Sequence, residues 1–461
     1  MKPALTKFGA QMSKLTGVRA IMKDINETLR AGKGQELMNL SAGNPLILPE
    51  VEQLWRDCTA ELLESSEYGE VVCRYGYSKG YTPLIEAVAK DFNKRYGLEL
   101  TERNILITPG SQTLYFYAAN VFGGYTEPPQ TPPSQGRASS DLTPPSQGGT
   151  NSDLTPPSQG GTGGILKQIV LPLSPDYTGY GGVSLVPEAL FAYKPTLDID
   201  ASAHRFKYRP DFSKLSITEQ TGCVLFSRPC NPTGNVVTDD EVKKIAALAA
   251  QSNVPVLIDS AYAPPFPALN YTEMTPTFGE NILHCMSLSK AGLPGERVGI
   301  AIGSENLIEA LECFQANASL HSSRYGQAIA ALAIESGKLA HISETVIRPF
   351  YKNKFTVLET TLESAMPDIP WFMHRGEGAI FAWIWLKDLP ISDAEFYQQL
   401  KKVGVIVVPG NSFFPGLREE WQHKHECFRV SLTGSDEEIK TGMQRFAKVA
   451  EEVYRNAAVR S

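Results

Sequence analysis

Short apolar runs alternate with amphipathic stretches over much of the chain, and their spacing predicts most of the elements. "NILIT" (104–108) predicts a strand, with a helix beginning near Ser111. "CVLFS" (223–227) predicts another strand, followed by the helical "TDDEVKKIAALAAQ", whose Thr238 and Glu241 have capping-box spacing. Val242, Ile245, Ala246 and Ala249 give that helix one apolar face. "KQIVLPL" (167–173), "VPVLID" (254–259), the run 281–289 and "VGIAIG" (298–303) read as further strands. Strands in this alternation argue for an α/β chain, a mostly parallel sheet between helices. Ligands of such sheets bind at the carboxyl ends of the strands. Asp259 and Lys290 fall at or just beyond two of those ends. From about residue 340 the rhythm changes to a long helical stretch, then "AIFAWIWL" and "GVIVVPG", which predicts a second, smaller α+β domain.

One segment interrupts the pattern. From Thr126 to Gly164 the composition falls to Pro, Ser, Gln, Gly and Thr, with TPPSQG starting at 131, 143 and 155. Leu142 and Leu154 are too little to build a stacked core, so the segment reads as a disordered insert in a surface loop. Lengthening a loop costs little closure entropy, so such an insert is tolerated.

The remaining composition narrows the picture only modestly. At 461 residues, 42% hydrophobic and 20% charged, the chain suits two or three globular domains. A formal charge of −7 argues against nucleic acid or an anionic membrane as the main partner. The seven cysteines form no CxxC pair and sit mostly in apolar company, as expected of reduced thiols in a cytoplasmic protein. No apolar run reaches the roughly 20 residues of a membrane helix.

The chemistry lies at the strand ends. In "HCMSLSKAGLPGERVG" (284–299) a buried-strand pattern ends in Lys290 within a turn of serines, glycines and a proline, with Arg297 seven residues on. A lone strand-end lysine is usually a surface residue. Here it has company. "PGSQ" (109–112) puts the backbone N–H groups of Gly110, Ser111 and Gln112 at a helix N-terminus, a site that favours phosphate. "NPTG" (231–234) is a rigid turn that presents Asn231, and "LIDSAY" (257–262) supplies Asp259 and Tyr262. A lysine amine can form a Schiff base with an aldehyde, and a pyridinium nitrogen needs an anionic partner. Lys290, Asp259, the 110–112 loop, Ser287 and Arg297 meet those needs together, with Asn231 and Tyr262 available to a phenolic oxygen. The other ligand-like cluster, "HKHEC" (423–427), lacks a second group to complete a tetrahedral set, so no metal is expected.

These motifs, in this order, resemble class I pyridoxal-phosphate aminotransferases of the aspartate aminotransferase fold over nearly the whole chain outside the insert. "SRPCNPTGNVVTDDE", "SETVIRPFY", "EGAIFAWIWLKDLPI" and "VPGNSFFPGL" narrow the resemblance to the valine–pyruvate subgroup. The resemblance implies a fold-type I transferase whose large domain, 51–325, has a mostly parallel seven-stranded sheet. Its small domain would comprise 1–50 together with 326–461. The cofactor would be pyridoxal 5′-phosphate, with Lys290 as the Schiff-base lysine and proton carrier. Asp259 would face the pyridine nitrogen, Tyr177 the ring, and Asn231 with Tyr262 the ring oxygen. Arg429 in "CFRVSL" would clamp the substrate α-carboxylate beneath Gly43, and Tyr75 would reach the neighbouring subunit's phosphate in a homodimer. The implied substrates are small amino acids and 2-oxo acids, valine and pyruvate first. Another pyridoxal-phosphate activity on the same fold, such as a C–S lyase or decarboxylase, stays open at this point. A transcription regulator carrying such a domain would need a basic helix-turn-helix segment, and only about 40 residues precede "NLSAGNP".

Overall fold

The computed structural model describes residues 4–14, 17–32, 36–126 and 164–459. The expected insert, apart from its end residues Thr126 and Gly164, lies outside them.

The larger sheet runs in the order Ile105–Pro109, Val298–Ile302, Ile282–Ser287, Val256–Asp259, Thr221–Ser227, Leu166–Leu171, with Leu190–Ala192 also paired to Leu166–Leu171. Val298–Ile302 is antiparallel to both neighbours, and the others share one direction. The two-residue strand Gly124–Tyr125 adds an antiparallel edge to Leu166–Leu171. Successive side chains leave a strand on opposite faces, and both faces are covered. Ile105 and Ile107 pack in one core with helices Pro49–Glu64, Thr82–Tyr96 and Arg324–Glu335. Leu106 turns to the other face, where helices Ser111–Phe122 and Glu305–Ser319 pack. The helix Asp239–Ala250 buries Val242, Ile245, Ala246 and Ala249, and its Thr238–Glu241 capping box is formed from both sides.

A six-stranded sheet runs in the order Val408–Pro409, Cys427–Ser431, Phe381–Leu386, Trp371–His374, Arg205–Arg209, Thr196–Asp200. Helices Arg348–Ala365 and Asp436–Ala458 pack against one another beside it. The Trp383 and Trp385 rings of "AWIWL" are buried in this sheet. The hairpin 196–209 lies in sequence inside the stretch expected for the large domain, yet it pairs in parallel with Trp371–His374. Near the N-terminus, Met38–Asn39 pairs in parallel with Val405–Ile406.

Thr126 and Ile165, at the two borders of the insert, are hydrogen-bonded to each other. The Thr126 N–H donates to the Ile165 carbonyl at 3.0 Å, and the Ile165 N–H to Thr126 Oγ1 at 3.1 Å. The two borders therefore meet at one point on the sheet edge.

Candidate active site

The carboxyl ends of the parallel strands and the face of the six-stranded sheet enclose a cavity of about 530 Å³. Lys290 enters it from a tight 3-10 turn, Leu288–Ala291, that ends the strand Ile282–Ser287. The Ser287 side chain accepts from the Ser289 N–H, and Gly292 closes the turn at φ 89°. A Cβ on Gly292 would stand 2.3 Å from Val51 Cγ1, so glycine is required there for space as well as for conformation. Lys290 Nζ donates to the Gly43 carbonyl at 2.5 Å. Burial, with the Arg429 and Arg297 charges, brings this amine down to about 8, against the pull of Asp259.

Asp259 ends the strand Val256–Asp259. It accepts from the Tyr180 hydroxyl at 2.8 Å and from the Ala261 N–H at 3.0 Å. Burial pushes its carboxyl above the ordinary range, while the phenols of Tyr115 and Tyr180 and the charge of Lys290 oppose that shift.

At one end of the cavity, Gly110 at φ 86° leads into the helix Ser111–Phe122, which has no side-chain cap. The first-turn N–H groups of such a helix have no partner within it. A Cβ on Gly110 would lie 2.2 Å from Arg297 Nη2, and one on Gly299 would lie 2.6 Å from the Gly110 carbonyl carbon. Arg297 donates to Ser289 Oγ at 3.2 Å, and Ser287 Oγ to Ser289 Oγ at 3.0 Å. Backbone N–H groups, two hydroxyls and a guanidinium thus form one cradle suited to a phosphate dianion.

At the other end, Arg429 in the strand Cys427–Ser431 is buried over the Phe381 ring at 4.2 Å. Its Nη1 donates to Asn231 Oδ1 at 3.0 Å and its Nη2 to the Ser41 carbonyl at 2.8 Å, while its Nε is buried without a partner among the described residues. Burial brings this guanidinium down to about 10. Asn231 stands on a turn pinned from the six-stranded sheet. Lys207 Nζ, buried, donates to Asn235 Oδ1 at 2.9 Å and to the Val236 carbonyl at 2.8 Å, and also pairs with Glu377. Glu377 in turn accepts from the Val236 N–H at 2.9 Å. Tyr177 and Tyr262 line the cavity between the two ends, with burial raising both phenols.

Of the residues singled out in the sequence, Gly43, Ser111, Gln112, Tyr177, Asn231, Asp259, Tyr262, Ser287, Lys290, Arg297 and Arg429 line this one cavity. Gly110 lies directly behind Arg297. Tyr75 does not join them; it is 86% exposed, edge-on to His321 at 5.9 Å. His423 and His425 sit in a 3-10 turn and have separate surroundings. His423 is buried and stacked on Trp421, while His425 faces Asp393 at 3.4 Å.

Several residues of the site escaped the sequence reading. Ser289 was hidden inside the lysine motif. Tyr180, which donates to Asp259, follows Tyr177 by three, and Tyr115 follows Ser111 by four on a helix; both spacings could have pointed inward. Asp176 accepts from the N–H groups of Tyr177 at 2.7 Å and Ser227 at 3.0 Å and from the Ser227 hydroxyl, tying the Tyr177 loop to a strand end. The helix Val18–Ala31, which lays Ile21, Met22, Ile25, Asn26 and Leu29 along the cavity, gave no signal, because an apolar helix face looks like any core stripe.

A phosphate cradle, a buried strand-end carboxylate and a lysine amine near neutrality fit pyridoxal phosphate, and the Gly110 and Gly299 cradle leaves no room for side chains. Fold and donor set together define a pyridoxal-phosphate enzyme of fold type I. Residues 196–446 match the family model for aminotransferase class I and II. The chain is 35% identical over 447 residues, 97% of its length and 98% of the relative's, to valine–pyruvate aminotransferase of Escherichia coli K12. A solved structure of valine–pyruvate aminotransferase from Salmonella typhimurium LT2 superposes with a TM-score of 0.79 at 33% identity, covering 94% of this chain and 99% of that one. A solved protein of Psychrobacter arcticum 273-4 superposes at 0.87 and 32% identity, covering 99% and 100%. The chain belongs to the class I and II aminotransferases. It is a transaminase acting on amino acids and 2-oxo acids, with pyridoxal 5′-phosphate as its cofactor. No helix among the described residues is long and apolar enough to cross a membrane.

Proposed function

We propose that this enzyme exchanges the amino group between valine, or a similar aliphatic amino acid, and pyruvate, giving 2-oxoisovalerate and alanine. The observation that carries this reading is the 35% identity to a valine–pyruvate aminotransferase over 97% of the chain.

Bound pyridoxal phosphate supplies the electron sink that lets the substrate's Cα proton leave. In our reading the helix N-terminus at Gly110–Gln112, with Ser287 and Arg297, holds the phosphate. The Asp259 carboxylate holds positive charge at the pyridine nitrogen, and the Tyr180 hydroxyl keeps it aimed. Asn231 and Tyr262 would be the hydrogen-bond partners of the ring oxygen, and Tyr177 would pack on the ring. Arg429 receives the α-carboxylate as a two-point fork under Gly43. Lys290, whose amine sits near 8, is partly neutral at pH 7–8 and so can accept the Cα proton. The two substrates use one site in turn, which gives ping-pong kinetics.

The exposed Tyr75 suits contact with the phosphate site of a second subunit, so the working form is read as a homodimer. We infer that residues 51–325 form the larger domain and 1–50 with 326–461 the smaller, the hairpin 196–209 being hydrogen-bonded to the smaller part. Seven free cysteines, five of them buried, favour the reducing cytoplasm. The test is a panel of amino donors with pyruvate, scored for alanine and the matching 2-oxo acid. Valine is expected among the best donors. Release of ammonia from sulfur-bearing donors, without alanine, would instead identify a lyase.

A further inference from the structure

The geometry points to the helix Val18–Ala31 as the element that selects the donor side chain: its apolar face forms the far wall of the substrate site and restricts it to uncharged, aliphatic donors. This rests on the transaminase reading above and adds the residues that decide specificity.

The helix is fixed over the cavity at two places. Asp24, on its outer side, accepts from the Tyr397 hydroxyl at 2.9 Å and from Lys401 Nζ at 3.2 Å. At its N-cap, Gly17 passes close to the Tyr177 loop; a Cβ there would sit 3.2 Å from the Thr178 carbonyl. Held this way, it presents Ile21, Met22, Ile25 and Leu29, with Asn26 as the single amide, to the cavity that contains Lys290 and Arg429. Ile25 is 6% exposed within the core, whereas Met22 is 47% exposed at the rim.

Charge makes the selection sharper than size alone. Among the described residues lining the cavity, the charged side chains are Asp259, Lys290, Arg297 and Arg429. The three cations lie at the phosphate cradle, the strand-end turn and the α-carboxylate position; the helix adds none to this cavity, its Arg19 lining the adjoining hollow beyond Tyr177 and Arg297. A dicarboxylic donor held at Arg429 would press its second carboxylate against isoleucine and leucine without a cation, where burying an unpaired charge is strongly unfavourable. An aliphatic donor gains from the same wall, each well-placed methylene being worth about 10- to 200-fold in discrimination.

The experiment uses the holoenzyme and pyruvate, with valine, alanine, leucine, aspartate and glutamate as donors. Ile25→Ala should lower the valine-to-alanine ratio of kcat/KM by about tenfold or more and favour leucine, which fills the new space. Met22→Arg, at the rim where folding is less at stake, should raise aspartate or glutamate turnover at least tenfold. Calorimetric binding should show the same shift, with 2-oxoisovalerate losing affinity relative to pyruvate in Ile25→Ala. Unmoved donor ratios in both variants would overturn the assignment and place specificity elsewhere, a partner subunit included. If the unaltered enzyme transaminates no donor with pyruvate, the functional reading itself fails, an outcome distinct from intact transamination with unmoved ratios.

Discussion

Replacing Lys207 with methionine tests whether the Asn231 turn is held in place by a buried charge. Lys207 and Glu377 side chains are 3% and 15% exposed, and Lys207 Nζ donates to Asn235 Oδ1 and the Val236 carbonyl besides pairing with Glu377. Lys207→Met keeps the packing of the stem but strips Glu377 of its cation, leaving it the Val236 N–H alone. Breaking a buried pair from one side costs roughly 3–5 kcal/mol. Partial exposure of Glu377 lets water recover some of that, so about 3 kcal/mol is expected, a large share of the roughly 5–15 kcal/mol by which folded proteins are stable. Thermal melts of the holoenzyme should fall by several degrees. Adding Glu377→Gln removes the unpaired charge while retaining an acceptor for Val236, and should restore about half of the loss. Because Asn231 accepts from Arg429, the residue proposed to hold the substrate carboxylate, the single variant should also raise KM for valine and pyruvate together, more than it lowers kcat. Single and double variants melting alike, or a single variant within about 1 kcal/mol of the original, would refute the reasoning.

Lys290→Ala should abolish the visible absorbance of lysine-bound pyridoxal phosphate, and cofactor uptake by the apoprotein should gain rate with pH to a midpoint near 8, below the usual lysine value; a midpoint near 10.5 would contradict the buried, cation-flanked amine. Arg429→Leu should weaken every amino and oxo acid by about 30- to 5,000-fold in kcat/KM, with Arg429→Lys recovering part of the loss; a loss confined to one donor would remove Arg429 from the shared carboxylate. Burial holds His284, His374 and His423 near 4, 3 and 3, below their unfolded value of 6.5. The unfolded chain therefore takes up protons first as pH falls below 6.5, and each histidine's contribution, roughly 3–5 kcal/mol at most, is lost towards pH 3–4. Asp176, pushed up to about 7 by burial, acts in the opposite sense between about 7 and 3.8 and offsets one of them, so net acid unfolding is expected below about pH 5; undiminished stability at pH 4, measured by urea titration, would refute this. Excising 127–163 and joining Thr126 to Gly164 through a short Gly/Ser linker should leave activity and melting temperature nearly unchanged, and a large loss of either would show that the repeat contributes to the fold or the site.

Local pattern carried most of the fold. The helix 239–250 and its box follow from Thr238, Glu241 and a 3.6-residue apolar spacing, all contained within 14 residues. The antiparallel sense of Val298–Ile302 was not legible, because an apolar run buried on both faces reads the same in either direction. Nor was the hairpin 196–209, whose partner strand lies some 165 residues away. Around the cavity, Asp259 and Lys290 were legible because they sit at strand ends, and Gly110 because it sits at a helix start, positions that sequence marks. The opposite wall was less so. Arg429 entered through resemblance, and the packing of helix 18–31 over the cavity is a tertiary choice that no local spacing encodes.

The paired borders at Thr126 and Ile165 have a practical consequence. The helix Ser111–Phe122 begins at the phosphate cradle and ends just before them, a span of about 18 Å for 12 residues. The strand Leu166–Leu171 starts beside them and points back toward Tyr177. A tether introduced between 126 and 165 would thus attach the enzyme by the end of the sheet remote from its cavity. Molecules immobilised on a support through this loop should all present the open mouth to solution, whereas random lysine coupling would bury a share of them face down.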